Sequence, residues 1–211
     1  MSETITLTKD ALRTTQTGFG MLLASALSFG VAFICVVVPM AAISMGWRCN
    51  AWWLPIYGGI GLGVLLWIAS KIALLAFEDT KCRALAAAGL VLDIGIIVSS
   101  ILPFTKGDFS LAIFYLGTTF SYLTILLYQA RLGRLVSDQV LVVRSRRLFY
   151  GIVLAFLLIL SMMVMPSYLI AFLPFLALFL VVTGAGQCWF AFRRVSELLR
   201  LEPENTAEGA A

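Results

Sequence analysis

Asp93 is the residue whose type and position in this 211-residue sequence are best suited to chemistry. It lies ten residues after Arg83 inside a long apolar block, and ten residues of helix at about 1.5 Å each correspond to a depth of roughly 15 Å in a bilayer. Burying a charged aspartate at that depth costs about 2.5–3.5 kcal/mol, so we expect Asp93 to be protonated, paired or facing a wet cavity. Two interpretations stay open: a proton or cation site, and a structural acid that hydrogen-bonds to a neighbouring helix.

Lys71 is the partner that the sequence offers to Asp93. It lies seven residues before Glu78 in the preceding apolar block, at a depth of roughly 10 Å by the same rise per residue. Its long side chain can span part of the difference in depth from Asp93, or it can snorkel to the headgroups without pairing. A Lys71–Asp93 pair would fix the register of two antiparallel helices, and the ammonium group would favour the charged carboxylate and so oppose proton carrying.

Hydroxyl groups are concentrated in a later apolar block, at residues 110–128. Same-face spacings of three or four residues relate several of them. They are Thr118, Ser121, Tyr122 and Thr124. Such a face could line a polar path through a membrane, and it could equally supply hydrogen bonds between helices.

The absence of histidine excludes several classes of chemistry. With no His in the sequence, the chain has no imidazole base and no haem or metal ligation by His. The four cysteines have no Cys-x-x-Cys spacing, which excludes the common cysteine metal and redox motifs. An intramembrane aspartyl protease needs two acids, and the apolar blocks offer one. The sequence also contains no phosphate-binding P-loop pattern. We therefore expect no catalytic residues, no metal site and no cofactor, and hence no enzyme.

The composition places these residues in a membrane. The chain is 61% hydrophobic and 12% charged, whereas soluble domains are roughly 45–50% apolar and about 25% charged. Its net charge of +4 rests on too few groups to neutralise a row of phosphates, so we expect no nucleic-acid partner. A membrane-spanning helix needs about 20 mostly apolar residues. Six blocks meet this need, at residues 18–45, 54–77, 84–104, 110–128, 148–165 and 168–192.

The predicted fold is therefore an all-α integral membrane protein, a bundle of six transmembrane helices that forms a single domain over residues 18–192. Residues 148–192 contain no charge and are too long for one span, so we divide them at Pro166, which lacks the backbone donor of a continuous helix. Residues 1–17 and 193–211 are predicted to be tails on the cytoplasmic side.

The basic residues decide the predicted orientation, because positive charge is retained on the cytoplasmic side of a membrane. With six spans, all but two of the 15 Lys and Arg residues fall on one side, and only Arg48 and Lys106 fall on the other. A five-span model would move Arg193 and Arg194 to the opposite side and spoil this separation. We therefore predict that both termini lie in the cytoplasm.

Several arginines lie between the fourth and fifth predicted spans. They are Arg131, Arg134, Arg144, Arg146 and Arg147. Apolar residues at near-helical spacing are interleaved with them, which predicts an interfacial amphipathic helix lying flat on the cytoplasmic face. Each arginine near an anionic leaflet contributes about 1 kcal/mol to binding, so anionic lipids are the expected partner. The same surface could also dock a soluble protein.

Glycines mark positions where helices are expected to approach closely. Gly59 and Gly63 have the Gly-x-x-x-Gly spacing of packed membrane helices. Gly89 lies four residues before Asp93, on the same helical face. We predict that all three glycines pack against neighbouring helices.

These features leave two main hypotheses for function and a distant third, an enzyme confined to lipid-modifying chemistry that uses no histidine. The first is a non-catalytic accessory or scaffold module that acts through contacts with other membrane chains or with further copies of itself. The second is a small transporter or channel that uses Asp93, with Lys71, as a proton or ion site. Short loops and the absence of a targeting peptide or glycosylation sequon favour a multi-pass protein of a bacterial cytoplasmic membrane.

Overall fold

Six α-helices make up the described part of the chain. The computed structural model describes residues 8–44, 53–101, 108–162 and 166–201. The helices are α1 (Lys9–Ser44), α2 (Trp53–Leu75), α3 (Thr80–Ile101), α4 (Asp108–Leu135), α5 (Gln139–Met162) and α6 (Pro166–Leu201). No β-strand occurs in these ranges, so this part of the chain is all-helical, as the sequence predicts.

Charged residues collect at one end of the bundle, because successive helices run in opposite directions. Asp79, just before α3, binds Arg131 near the end of α4. Asp138, just before α5, binds Arg194 near the end of α6. Apart from Lys71, the described lysines and arginines all lie within nine residues of the helix ends that meet here. We call this region the basic end.

Apolar packing joins the helices in an order that the sequence does not reveal. Helix α1 packs along α2 and α6, and α4 packs between α3 and α5. The ring of Tyr128 on α4 is buried, and the rings of Phe19 and Phe77 meet it edge-on at centroid distances of 6.1 and 6.0 Å. Edge-to-face contacts of this kind are favoured between aromatic rings, so Tyr128 links α4 to α1 and to the turn after α2.

Helices α1 and α6 extend beyond the apolar blocks from which they are predicted. Helix α1 begins inside the predicted N-terminal tail, and α6 continues into the predicted C-terminal tail. Leu12 and Val195 are buried there, and Gln16 Nε2 donates to Ser196 Oγ at 2.7 Å. Hydropathy identifies the apolar part of each helix, whereas this amphipathic continuation is held by packing against its neighbour.

The predicted interfacial amphipathic helix is wrong. The residues expected to lie flat complete α4, form a short turn and begin α5. Ser137 has a φ of 57°, and the N–H of Asp138 donates to the carbonyl of Gly133 at 2.7 Å, the Schellman arrangement that ends a helix. The Asp138 carboxylate then accepts the N–H of Leu141 at 3.1 Å, which caps α5. Leu141 is fully buried, so this face packs against protein and not against headgroups.

The proline that divides the long uncharged block is the first residue of a described helix. Helix α5 ends at Met162 and α6 begins at Pro166. Proline suits the first position of a helix because the helix has no acceptor for an N–H there, so its lack of one costs nothing. Residues 163–165 between the two helices lie outside the described residues, as do Arg48 and Lys106, which were predicted on the outer side.

Two helices in the described residues are long and apolar enough to cross a membrane. They cover Ile56–Leu75, with a mean hydropathy of 1.8, and Thr80–Ser99, with a mean hydropathy of 1.9. Only 22% and 28% of these segments are buried inside the protein, whereas the core helix of a soluble protein is mostly buried. The two helices support membrane association, and no other helix meets the criterion within the described residues.

Candidate functional site

Lys71 and Asp93 form an ion pair inside the bundle. Lys71 Nζ lies 2.7 Å from Asp93 Oδ2, and only 1% and 6% of the two side chains are exposed. Lys71 lies near the end of α2, and Asp93 lies in the middle of α3. The structure thus brings together the two charged residues that the sequence singles out.

Two further side chains complete the hydrogen bonding of this pair. Ser121 of α4 donates to Asp93 Oδ1 at 2.6 Å and accepts a hydrogen bond from Lys71 Nζ. Trp67 donates its indole N–H to Asp93 Oδ2 at 2.9 Å. The centroid of the same ring lies 5.1 Å from Lys71 Nζ, within cation–π range. We call Trp67, Lys71, Asp93 and Ser121 the buried polar cluster.

The side chain of Lys71 extends away from the basic end. Side chains of an α-helix lean toward its N-terminus, and the N-terminus of α2 lies at the opposite end of the bundle. Snorkelling to the basic end would require this side chain to turn back along its own helix. In the structure Lys71 therefore reaches Asp93 and does not snorkel.

Gly89, one turn before Asp93 on α3, makes room for the ammonium group. A Cβ atom at Gly89 would lie 2.8 Å from Lys71 Nζ and 2.5 Å from Thr124 Oγ1. Only a glycine therefore fits at this position of α3 beside Lys71. Thr124 donates its own hydroxyl to the carbonyl of Ser121 at 2.6 Å.

The gap beside the cluster is too narrow for a water molecule. A gap next to Lys71 is lined by Leu74, Thr124 and Tyr128, among others, and its volume for a water-sized sphere is about 0 Å³. A buried water needs both room and polar partners. The charges of the cluster are therefore neutralised by each other and by the indole and hydroxyl donors, with no room for water in this gap.

Gly59 and Gly63 bring α2 close to α1. A Cβ atom would lie 3.1 Å from the Cβ of Ala32 at the first position, and 2.9 Å from the ring of Phe29 at the second. Ser25 donates its hydroxyl to the carbonyl of Gly63 at 2.7 Å. The Gly-x-x-x-Gly spacing thus lies at a helix interface, where the missing side chains permit close approach.

The hydroxyl residues of α4 do not form one continuous polar face. Ser121 faces α2 and α3, where it joins the buried polar cluster. Tyr122 is buried on another side, and its ring lies 3.2 Å from the Cβ position of Gly184 on α6. Thr118, one turn before Tyr122, is half-buried. Ser121 and Tyr122 therefore contact different helices, and the polar path along α4 stays a prediction beside that of hydrogen bonds between helices.

A second polar cluster, which sequence reasoning missed, joins α4, α5 and α6. Gln187 Nε2 donates to Gln129 Oε1 and to Ser145 Oγ, both at 3.0 Å, and all three residues are fully buried. Amides buried among apolar side chains require such partners. The sequence feature that could have revealed this cluster is Gln187, the only amide side chain in the uncharged residues 148–192. We call these three residues the amide cluster.

At the basic end, Asp79 both caps a helix and binds an arginine. Arg131 contacts its carboxylate through Nη2 at 3.1 Å and Nε at 3.3 Å, and the N–H of Cys82 donates to it at 2.9 Å. The hydrogen bond from Arg131 is the main reason that the pKa of Asp79 lies below its ordinary value. Hydrogen bonds from Cys82 lower this pKa further, whereas burial raises it by less than these bonds lower it. Asp79 therefore stays ionised and joins α3 to α4.

The arginines predicted to contact anionic lipid differ in their surroundings. Arg131 is half-buried and paired with Asp79, whereas the other four are exposed. The guanidinium of Arg144 lies 4.4 Å from the ring centroid of Phe190 on α6, which is within cation–π range. The other three exposed arginines are Arg134, Arg146 and Arg147.

Neither metal ligation nor similarity to known proteins adds to this description. No group of three or more potential metal-binding side chains occurs among the described residues. Comparison with protein-family models, with curated proteins and with solved structures found no match to this chain.

Proposed function

We propose that the protein is a non-catalytic multi-pass membrane protein that acts as an accessory or scaffold module through helix–helix contacts. In this proposal all six helices span the membrane, the basic end faces the cytoplasm, and both termini lie on that side. The proposed location is a bacterial cytoplasmic membrane.

Apolar side chains are also exposed on α1, α4, α5 and α6, the four helices other than the two long apolar ones, and they support the six-span arrangement. Examples are Leu27 on α1 (61% exposed), Phe120 on α4 (47%), Leu154 on α5 (60%) and Val182 on α6 (61%). Single exposed apolar residues are normal in soluble proteins, whereas extensive apolar surface marks contact with a membrane or another protein. The collection of basic residues at one end supports the proposed orientation.

The closed buried polar cluster is the observation that carries the non-catalytic role. A proton or ion site must exchange its cargo with a wet cavity or another relay group. Lys71 and Asp93 instead neutralise each other, and the gap beside Lys71 has no room for water. This geometry favours a structural connection between α2, α3 and α4 over the transporter alternative.

Exposed glycines support contact with a further membrane helix. Gly58 and Gly61 on α2 and Gly95 on α3 have no atom within 4 Å of their Cβ positions. Small residues on an exposed membrane helix allow a second helix to approach closely. The proposed partners are therefore other membrane chains or another copy of this one, with anionic lipids at the basic end.

Reconstitution into liposomes tests the non-catalytic role against the transporter alternative. We expect the wild-type protein and Asp93→Asn to give the same proton and potassium flux as empty liposomes, because the two charges are buried and neutralise each other. Flux that requires the wild-type protein and disappears in Asp93→Asn would contradict the proposal. A known channel reconstituted in parallel shows that the flux assay responds.

Native mass spectrometry of gently solubilised membranes tests the accessory role. We expect the chain to leave the membrane in a stoichiometric complex with another membrane protein or with itself. A monomer under conditions that preserve other membrane complexes would contradict this part of the proposal.

A further inference from the structure

A cleft between α3, α4 and α5 opens at the basic end, apart from the buried polar cluster. Its volume is about 360 Å³, within the range of about 300–1,000 Å³ that is common for small-molecule sites. All three helices contribute to its lining, and Ser145 of the amide cluster is part of it. The cleft therefore has walls fixed by helices that are packed together.

Four cations line this cleft, and three of them have no carboxylate partner within the described residues. Lys81, Arg131, Arg134 and Arg146 line it, and no acidic residue does. Arg131 is already bound to Asp79, but the other three take part in no ion pair within the described residues. Like charges gathered around one cavity repel each other, and a bound anion would relieve this repulsion. The lining is complementary to a phosphate or another anionic group.

The rest of the wall is apolar and reaches the outer surface of the bundle. Leu85 and Phe149 line the cleft, together with Leu127 and Tyr150, which are 39% and 67% exposed. A small free anion gains nothing from such a wall, whereas a hydrocarbon chain would bury apolar surface against it. The combination of cations and apolar wall fits a molecule with an anionic head and a hydrocarbon tail.

We propose that this cleft binds an acidic phospholipid, with its phosphate among Lys81, Arg134 and Arg146 and an acyl chain against Leu127 and Tyr150. The inference rests on the proposed membrane location, in which the basic end meets the cytoplasmic leaflet and its anionic headgroups. It is narrower than a general attraction of basic residues to a leaflet, because it assigns binding to a defined cleft.

Binding of added lipid to the full-length protein in neutral detergent tests the proposal. The probes are phosphatidylglycerol, phosphatidylcholine and inorganic phosphate, and the readouts are native mass spectrometry and the thermal unfolding midpoint Tm. We expect phosphatidylglycerol to bind and to raise Tm, and the other two probes to do neither. R134Q/R146Q should lose affinity for phosphatidylglycerol by at least about tenfold, since each arginine contributes substantially to anionic-lipid binding.

The matched control is R13Q/R147Q, which removes the same charge from the basic end outside the cleft and should keep wild-type affinity. Equal affinity of the two double variants for phosphatidylglycerol would overturn the proposal, as would equal stabilisation by inorganic phosphate. If R134Q/R146Q does not fold, K81Q provides the same comparison with R147Q alone.

Carbonate extraction of membranes separates this inference from the proposed function. Release of the wild-type protein would contradict the membrane location itself. Retention in the membrane pellet, combined with no preference for phosphatidylglycerol over phosphatidylcholine, would overturn only the assignment of the cleft.

Discussion

Lys71 and Asp93 meet inside an apolar bundle where each charge requires a partner. Removing an ion from water costs several kcal/mol, and the 2.7 Å contact offsets this cost together with donors from Trp67 and Ser121. A buried pair of this kind stabilises a fold no more, and often less, than well-packed apolar side chains of the same volume would. We infer that its main effect is on register, because shifting α2 against α3 would leave both charges unpaired.

The sequence identifies the charged members of this cluster and names Ser121 among four candidate hydroxyl residues, but it does not single out Trp67 or show which hydroxyl meets Asp93. Lys71 and Asp93 can be found because charges are rare in apolar blocks, and counting residues gives their approximate depths. Indole and hydroxyl groups are common in such blocks, so Trp67 and Ser121 do not differ from their neighbours in type. Which of them meets Asp93 depends on the rotation of each helix about its axis, which packing sets.

Gly89→Ala tests the close approach of α3 to Lys71. The new methyl group would lie 2.5 Å from Thr124 Oγ1 and 2.8 Å from Lys71 Nζ, so both side chains must move away from it, which disturbs the packing around the ion pair. Overpacking of this kind costs about 1–3 kcal/mol. In a chain of this length, each kcal/mol lowers Tm by about 2–4 °C. Thermal unfolding in detergent measures the effect.

Gly95→Ala is the matched control on the same helix. No atom lies within 4 Å of its Cβ position, and alanine favours helix over glycine by up to about 1 kcal/mol. Its Tm should equal or exceed that of the wild type. A Gly89→Ala protein as stable as Gly95→Ala would show that Lys71 does not occupy the space beside Gly89.

At the scale of the helices, carboxylate caps connect neighbouring elements. Asp79 caps α3 and binds Arg131 of α4, while Asp138 caps α5 and binds Arg194 of α6. Burial raises the pKa of Asp138, but the hydrogen bonds from Arg194 and from the N–H of Leu141 outweigh it, so this pKa also lies below its ordinary value.

These lowered pKa values predict how stability depends on pH. Because the folded protein holds these protons less tightly than the unfolded chain, the stabilisation is fully present above the unfolded pKa of about 3.9. It is lost as the pH falls through the lower folded pKa. We expect the wild-type Tm to change little between pH 7 and about 5 and to fall below about pH 4.

Asp79→Asn should reduce this dependence on pH. Asparagine can still cap α3, but it loses the ion pair with Arg131, so the Tm at pH 7 should fall by a few degrees and its decline in acid should be shallower. Asp10→Asn is the control, because Asp10 is exposed and makes no ion pair within the described residues. A decline in Asp79→Asn as steep as in the wild type would contradict the role given to Asp79.

The turn between α4 and α5 shows why an amphipathic pattern is ambiguous. Apolar residues at helical spacing predict a face that is buried, but not whether protein or lipid covers it. Leu132 and Leu141 are both fully buried against protein. The deciding features are the αL conformation of Ser137 and the cap by Asp138, and neither is specified by hydropathy.

At the scale of the whole molecule, the apolar blocks predict a helical chain, and the described residues form six helices. Their boundaries differ from the blocks because α1 and α6 continue as amphipathic helices at the basic end. The sequence also does not predict which helices contact each other, because the apolar blocks are similar in composition. The contacts of α1 with α6 and of α4 with α5 arise from side-chain fit between residues far apart in sequence.

Labelling of single cysteines tests the proposed orientation. In a variant without native cysteines, Ser137→Cys places an exposed thiol at the basic end. An impermeant maleimide should label it in inverted membrane vesicles and not in intact cells. A variant that keeps only Cys49 is the control and should be labelled in intact cells, because Cys49 follows Arg48 between the first two predicted spans, on the predicted outer side. Labelling of Ser137→Cys in intact cells would contradict the orientation.

A double-mutant cycle on the ion pair tests most directly whether the bundle is held by the buried polar cluster. The measurement is the Tm in detergent of the wild type, Asp93→Asn, Lys71→Gln and the double variant. Removing one partner of a buried pair costs about 3–5 kcal/mol because the other charge is left uncompensated. Each single variant should therefore unfold at a much lower temperature, and the double variant should recover most of the loss. Wild-type stability in all three variants, or a loss in the double variant equal to the sum of the single losses, would contradict the structural role of the pair.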